Sequence, residues 1–258
     1  MKDILKITLF QTEVVWLDVN ANIEKLDKLI QGSAQSPDLI VLPEMFATGF
    51  VTDTRLINIQ EQDFVLQWMK KAASQSGSCV AGSHPWYQNG NFYNRFLAVF
   101  PDGNFIHYDK RHLFSIGGEL ENYTKGNERK VFTVKGWRIM PLICYDLRFP
   151  VWSRNNLKYD ILLYSASWPA KRNAAWNILL KARAVENQCY VAAVNRTGTD
   201  GNNVLHIGQS QVIDPLGEIK SGLNETEGSL IVSLDKKLLE NCRKEFPVMG
   251  DADSFQLK

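Results

Sequence analysis

A chain of 258 residues with 29 Lys and Arg against 28 Asp and Glu, and a formal net charge of +1, has no charge excess with which to hold nucleic acid or an acidic partner. Hydrophobic residues at 45% and charged residues at 22% are ordinary for a globular protein long enough to bury a large core. No apolar run approaches the roughly 20 residues that span a bilayer, so no membrane segment is expected.

The opening Met1-Lys2-Asp3-Ile4-Leu5-Lys6-Ile7 carries an acid and a mid-run lysine and does not read as a secretory signal, which leaves a cytoplasmic location as the expectation. Leu5 to Phe10 then reads as a strand. Asn20 is placed to cap a helix through Gln31, with Ile23, Leu26, Leu29 and Ile30 at helical spacing and Gly32 as its stop. Asp38-Leu39-Ile40-Val41-Leu42-Pro43-Glu44 follows, four consecutive apolar residues typical of a strand buried on both faces, ended by Pro43. Asp63 to Ser76 reads as a helix and Cys79 to Gly82 as a short strand. Asn94 to Phe100 and Asn104 to Tyr108 form a hairpin over Pro101-Asp102-Gly103, and a long loop runs from Ser115 to Arg129.

Val131 to Cys144 holds a strand pair turned at Lys135-Gly136. Pro150 opens a short helix, Asp160 to Ser165 is a buried strand, Ala174 to Gln188 a helix, and Cys189 to Asn195 a strand. A hairpin over Pro215-Leu216-Gly217, a last strand from Gly228 to Leu234 and a helix capped by Asp235 complete the pattern. No linker divides the chain, so one α/β domain is expected over 1–245, with a polar tail over 246–258. Two sheets packed face to face and covered by helices accommodate this mixture of hairpins and helix-flanked strands.

Several strand ends carry chemistry. Ile139-Met140-Pro141-Leu142-Ile143-Cys144 is an apolar run that ends abruptly in a thiol, and open α/β sheets place their active sites at carboxyl ends of strands. Cys79, Cys144, Cys189 and Cys242 contain no C-x-x-C pair, which argues against a zinc or redox dithiol site. A thiol is mostly protonated near neutral pH and needs a base. Glu44, among Met45 and Phe46, can serve once desolvated. The oxyanion formed by attack on a carbonyl needs a positive charge or fixed donors. Lys110, in the block Asp109-Lys110-Arg111-His112-Leu113-Phe114, is the candidate cation, and Glu119 the second carboxylate that would balance it. The four histidines show no metal-ligand spacing. A cysteine–histidine pair through His112 remains open by spacing alone, although His112 reads better as a structural residue. No G-x-S-x-G, H-E-x-x-H, Walker A or G-x-G-x-x-G motif is present.

Leu42-Pro43-Glu44-Met45-Phe46, Asp109 to Phe114 and Cys144-Tyr145-Asp146-Leu147-Arg148-Phe149-Pro150 resemble, in that order, the three catalytic blocks of the carbon–nitrogen hydrolase (nitrilase) superfamily. Arg183 to Gln188, Asn195-Arg196-Thr197-Gly198 and Ile213 to Gly217 extend the resemblance over nearly the whole chain. Within the superfamily it is nearest to bacterial omega-amidases acting on 2-oxoglutaramate, through Glu44 to Phe50 and Phe149 to Asn155. The resemblance implies a single-domain, four-layer αββα sandwich that pairs into an αββα–αββα homodimer. It also implies a catalytic triad of Glu44, Lys110 and Cys144 with Glu119 beside the lysine, and an amide substrate with no metal or organic cofactor. The expected reaction passes through a thioester on Cys144, with the Tyr145 N–H as an oxyanion donor.

A 2-oxo acid substrate carries a far carboxylate that calls for a cation. Arg148 is weighed evenly between that role and a plain surface charge, while Lys171 and Arg172 are read as solvated. Phe46, Tyr145 and Trp168 are expected to line the pocket. The alternatives are a deaminated glutathione amidase, an N-carbamoyl amidohydrolase, a true nitrilase, or an idle binding protein on the same fold.

Overall fold

The computed structural model of the chain describes residues 3–32 and 37–257, so Met1, Lys2 and the final residue of the tail lie outside the described residues. The first half lays down β1 (Ile4–Gln11), α1 (Val19–Gln31), β2 (Leu39–Val41), α2 (Glu61–Ser76), β3 (Cys79–Gln88), β4 (Asn91–Val99) and β5 (Phe105–Asp109). The second half adds α3 (Glu119–Asn122), β6 (Phe132–Val134), β7 (Trp137–Ile143), α4 (Pro150–Ser153), β8 (Ile161–Ala166), α5 (Asn173–Asn187) and β9 (Tyr190–Asn195). It closes with β10 (Thr197–Thr199), β11 (Leu205–Ile207), β12 (Gln211–Ile213), β13 (Ile219–Gly222), β14 (Gly228–Asp235) and α6 (Lys236–Glu245).

The strands form two six-stranded sheets, in the orders β14-β1-β2-β3-β4-β5 and β13-β12-β9-β8-β7-β6, with β10 and β11 as a separate pair. At the centre of each sheet three strands run parallel: β1, β2 and β3 in one, β7, β8 and β9 in the other. Helical crossovers join them, as parallel pairing requires. Hairpins complete the edges, and β14 returns to pair with β1 antiparallel from Ile4↔Asp235 to Gln11↔Gly228.

Strand alternation sorts the apolar residues into layers. Leu5, Ile7, Leu9, Leu39, Val41, Phe96 and Ala98 share one core with residues of the second sheet such as Ile139 and Ile161. Phe96 and Phe132, one from each sheet, lie 6.5 Å apart. The alternate residues Phe10, Ile40, Leu42, Val80 and Leu97 pack instead on Val19, Ile23 and Leu26 of α1 and Val65, Trp68 and Met69 of α2. On the far side, Trp176, Leu180 and Ala184 of α5 and Leu239 of α6 cover the second sheet. The expected helix–sheet–sheet–helix architecture is the one observed.

Several element boundaries differ from expectation. The N-cap of α1 is Asp18, whose Oδ1 accepts the Ala21 N–H at 2.9 Å, not Asn20. β3 does not stop at Gly82 but pairs with β4 as far as Gln88↔Asn91. The turn is Asn89-Gly90, with φ of 53° and 81°, the positive pair that a tight hairpin needs. α3 forms inside the expected long loop. The tail is pinned where it begins, since Gln188 Nε2 at the end of α5 donates to the Phe246 carbonyl at 2.6 Å. No helix among the described residues is long and apolar enough to cross a membrane.

Candidate active site

Four strand ends converge between the two sheets. β2 leads through Leu42-Pro43 to Glu44, β5 delivers Lys110, β7 delivers Cys144 and β8 delivers Ser167. Polar stitches hold the two sheets together at this point. Ser165 Oγ donates to the Leu42 carbonyl at 2.8 Å, and the Ser167 N–H donates to Glu44 Oε2 at 3.0 Å. The first turn of α3 brings in Glu119, whose Oε2 also accepts the Phe114 N–H at 2.7 Å.

Glu44, Lys110 and Glu119 form a sealed charge cluster, each at 1% exposure or less. Lys110 Nζ lies 2.8 Å from Glu44 Oε1 and 2.8 Å from Glu119 Oε2. Asn94 Nδ2 donates to Glu44 Oε1 and to Glu119 Oε1, both at 2.8 Å. Burial opposes the Lys110 charge, but Glu119 and Glu44 outweigh it and hold the ammonium more firmly than in water. Burial is the largest influence on Glu119 and raises it, with Lys110 opposing. One oxygen of Glu44 is thus engaged by Lys110 and Asn94. The other accepts one backbone N–H and keeps a lone pair with which to take a proton.

Cys144 adopts φ of 40°, a strained backbone for a residue with a side chain and a conformation that clusters at functional sites. Its thiol is pushed well above the ordinary thiol range by burial first and by Glu44 second, with Lys110 opposing. The thiol therefore waits protonated beside a carboxylate, an arrangement suited to proton transfer concerted with attack. Cys144 opens a short 3₁₀ turn through Arg148. Tyr145 N–H lies in its first turn, where helical geometry supplies no internal acceptor.

Above this cluster opens a cavity of about 290 Å³, lined by Phe50, Lys110, Phe114, Cys144, Tyr145, Arg148, Ser167, Trp168, Lys171 and Arg172, with Asp200 and His206 from the β10–β11 region. The Arg148 guanidinium lies over the Trp168 ring at 4.9 Å from its centroid and that of Arg172 over Phe114 at 5.2 Å. Lys171 and Arg172, read from sequence as solvated, both reach the cavity wall, and Arg172 is half-buried there.

Glu44, Lys110, Glu119 and Cys144 are brought together, and Tyr145, Arg148 and Trp168 line the space above them. Phe46 is not. It packs 5.7 Å from Trp68 in the core under α1 and α2, because the turn after Glu44, with Met45 at φ 48°, carries it to the helix side of the sheet. Phe50 takes the lining position, its ring centroid 5.3 Å from Lys110 Nζ. The sequence reading also passed over Asn94, Ser167 and Asp146. Asn94 is a buried amide within an apolar strand, a signal that was available. Among the described residues no group of three or more His, Cys, Asp or Glu is disposed to hold a metal ion.

The chain matches the carbon–nitrogen hydrolase family over residues 6–244, and it belongs to that family. It is a hydrolase of carbon–nitrogen bonds. It is 45% identical over 254 residues to the omega-amidase YafV of Escherichia coli K12, covering 98% of each chain. It is 34% identical over 251 residues to the 2-oxoglutaramate amidase of Bacillus subtilis, covering 95% of this chain and 96% of that one. Its fold superposes with a TM-score of 0.94, at 39% identity and 99% coverage of each chain, on a CN-hydrolase superfamily protein from Xanthomonas campestris that carries an arsenic adduct in its active site.

Proposed function

We propose that this protein is an omega-amidase that hydrolyses the terminal amide of 2-oxoglutaramate or 2-oxosuccinamate to the 2-oxo acid and ammonia. The observation that carries the reading is the Cys144 thiol placed with the Lys110–Glu44 pair at the base of a small cavity that also presents Arg148, Lys171 and Arg172. The names of the two curated relatives support it.

Glu44 accepts the Cys144 proton as sulfur attacks the amide carbonyl. The resulting oxyanion is met by the Lys110 ammonium and the Tyr145 N–H. Glu44 returns the proton to the leaving nitrogen, the C–N bond breaks, ammonia departs and a thioester on Cys144 remains. Glu44 then deprotonates a water that attacks the thioester, and collapse of the second tetrahedral intermediate releases the acid and restores the thiol. Glu119 and Asn94 hold Lys110 and Glu44 in register. The substrate's far carboxylate is met by Arg148 and Arg172.

Ammonia release is to be measured from 2-oxoglutaramate, 2-oxosuccinamate, glutamine, an N-carbamoyl amine and a simple nitrile. The two 2-oxo amides are expected to lead by at least tenfold. Preference for the carbamoyl compound or the nitrile ends the omega-amidase reading. With a slow substrate, intact mass is expected to show an acyl adduct that is absent in Cys144→Ala. We also propose a homodimer, on the support of the exposed apolar residues Ile178 and Val185 of α5 and Leu216 nearby in the fold's second half, which is to be checked by light scattering.

A further inference from the structure

Asp146 is a fully buried carboxylate with no part in the cluster of Glu44, Lys110 and Glu119. Its Oδ2 accepts the Ile143 N–H at 3.0 Å and the Tyr108 hydroxyl at 2.8 Å. Its Oδ1 accepts the His112 N–H at 3.0 Å and lies 2.8 Å from His112 Nδ1, so that ring nitrogen carries a proton. The His112 ring is stacked on Phe149 at 3.7 Å, with 7° between the planes. The Tyr108 hydroxyl in turn accepts the N–H of Arg111 and the indole N–H of Trp152, at 3.2 and 3.0 Å.

The positions of these partners in the chain matter. Ile143 immediately precedes Cys144, while Tyr108 and His112 bracket Lys110. One carboxylate thus ties the backbone before the thiol to the Tyr108 side chain before the ammonium and to the His112 backbone and ring after it. The two segments belong to different sheets, and the packing between sheets is largely apolar and non-directional. Hydrogen bonds have direction and fix distances to a few tenths of an ångström. We propose that Asp146, through His112 and Tyr108, is a positioning residue that sets Lys110 against Cys144. The proposal rests on reading those two residues as oxyanion cation and nucleophile.

The chemistry explains why a carboxylate stands here. Four donors converge on it, and an ionised carboxylate only accepts. In Asp146→Asn the amide nitrogen must face either the Ile143 N–H or the His112 N–H, donor against donor, whichever way it is turned. Oxyanion donors act at roughly 2.7–3.1 Å, and a displacement of about 1 Å costs on the order of 100-fold in rate.

The test compares Tyr108→Phe, His112→Leu, His112→Asn and Asp146→Asn in the full chain, with whichever amide the wild type hydrolyses. His112→Asn keeps an N–H donor near the place of Nδ1. Tyr108→Phe and His112→Leu are expected to lose about 10–100-fold in kcat with KM within about threefold, and His112→Asn to regain most of the His112→Leu loss. Asp146→Asn is expected to lose the most. A second readout needs no substrate: the rate of iodoacetamide addition to Cys144, at matched folded fraction, is expected to change severalfold in the first two variants. Wild-type kcat in Tyr108→Phe and His112→Leu overturns the proposal, as does equal loss in His112→Leu and His112→Asn. If the wild type turns over none of the amides, the functional reading fails separately. The alkylation rates then still decide, and unchanged rates overturn the positioning role.

Discussion

Arg148 and Arg172 line one cavity, each with its guanidinium over an aromatic ring, Trp168 for Arg148 and Phe114 for Arg172. For a substrate ending in a carboxylate, a charge-assisted hydrogen bond contributes about 1.5–3 kcal/mol. Arg148→Ala and Arg172→Ala are each expected to raise KM for 2-oxoglutaramate about 10–100-fold, while a neutral amide of similar size shows little change. A different kind of group is His84, buried in β3, where desolvation holds the imidazole down at about 3 from its ordinary 6.5. The unfolded chain takes up a proton there below 6.5 and the folded chain does not until about 3. The stability His84 contributes is therefore complete above pH 6.5 and eroded as pH falls between these values. Denaturant titrations of His84→Gln are expected to lose less stability over that window, with a difference on the order of several kcal/mol at its acid end. At this scale, sequence showed the residues whose chemistry is unusual for their surroundings, such as a thiol or carboxylate ending an apolar run. It concealed Asp146, whose role depends on partners from the other sheet.

Among the elements, the segment that follows β5 is the one on which the charge cluster depends. Gly126 lies against it so closely that an added Cβ would come within 2.0 Å of the Asp109 carbonyl oxygen, and its N–H donates to the Lys110 carbonyl at 2.9 Å. Gly126→Ala is expected to push Asp109 and Lys110 aside, costing about 1–3 kcal/mol of stability and roughly tenfold in kcat at unchanged KM; thermal melts and steady-state rates check both. The buried parallel strands were legible because continuous apolar runs such as Leu39-Ile40-Val41-Leu42 have few other homes. The far half of β3 was not, because Ser83, His84 and Pro85 break its pattern and proline is confined to strand edges. Its neighbour β2 pairs only with Cys79, Val80 and Ala81, so from Gly82 onward that side of β3 is an edge and Pro85 fits. Asp18 displaced Asn20 as the cap of α1 because Asn22 is drawn inward, where its Nδ2 donates to the Val15 and Ala47 carbonyls. That tertiary demand sets where the helix begins.

For the molecule as a whole, the two sheets share one core, and the site exists only where both are in place. Phe96→Ala removes one ring of the inter-sheet pair with Phe132 and is expected to cost about 3–5 kcal/mol, read from urea unfolding as a single transition in which activity and fluorescence are lost together. The four-layer architecture was accessible because crossover helices and buried strands alternate in the chain. The register between the sheets was not, since it is set by side chains far apart in sequence, such as Ser165 on the Leu42 carbonyl. The pairing of β1 with β14 carries a consequence in time. During synthesis β1 is made well before β14, and one edge of it stays unpaired over eight register positions until Gly228 to Asp235 arrive. An open edge is a template for pairing with another chain. The nascent chain therefore carries β1 half-clothed while every element from α1 to β13 is made, and that sheet cannot close before β14 follows.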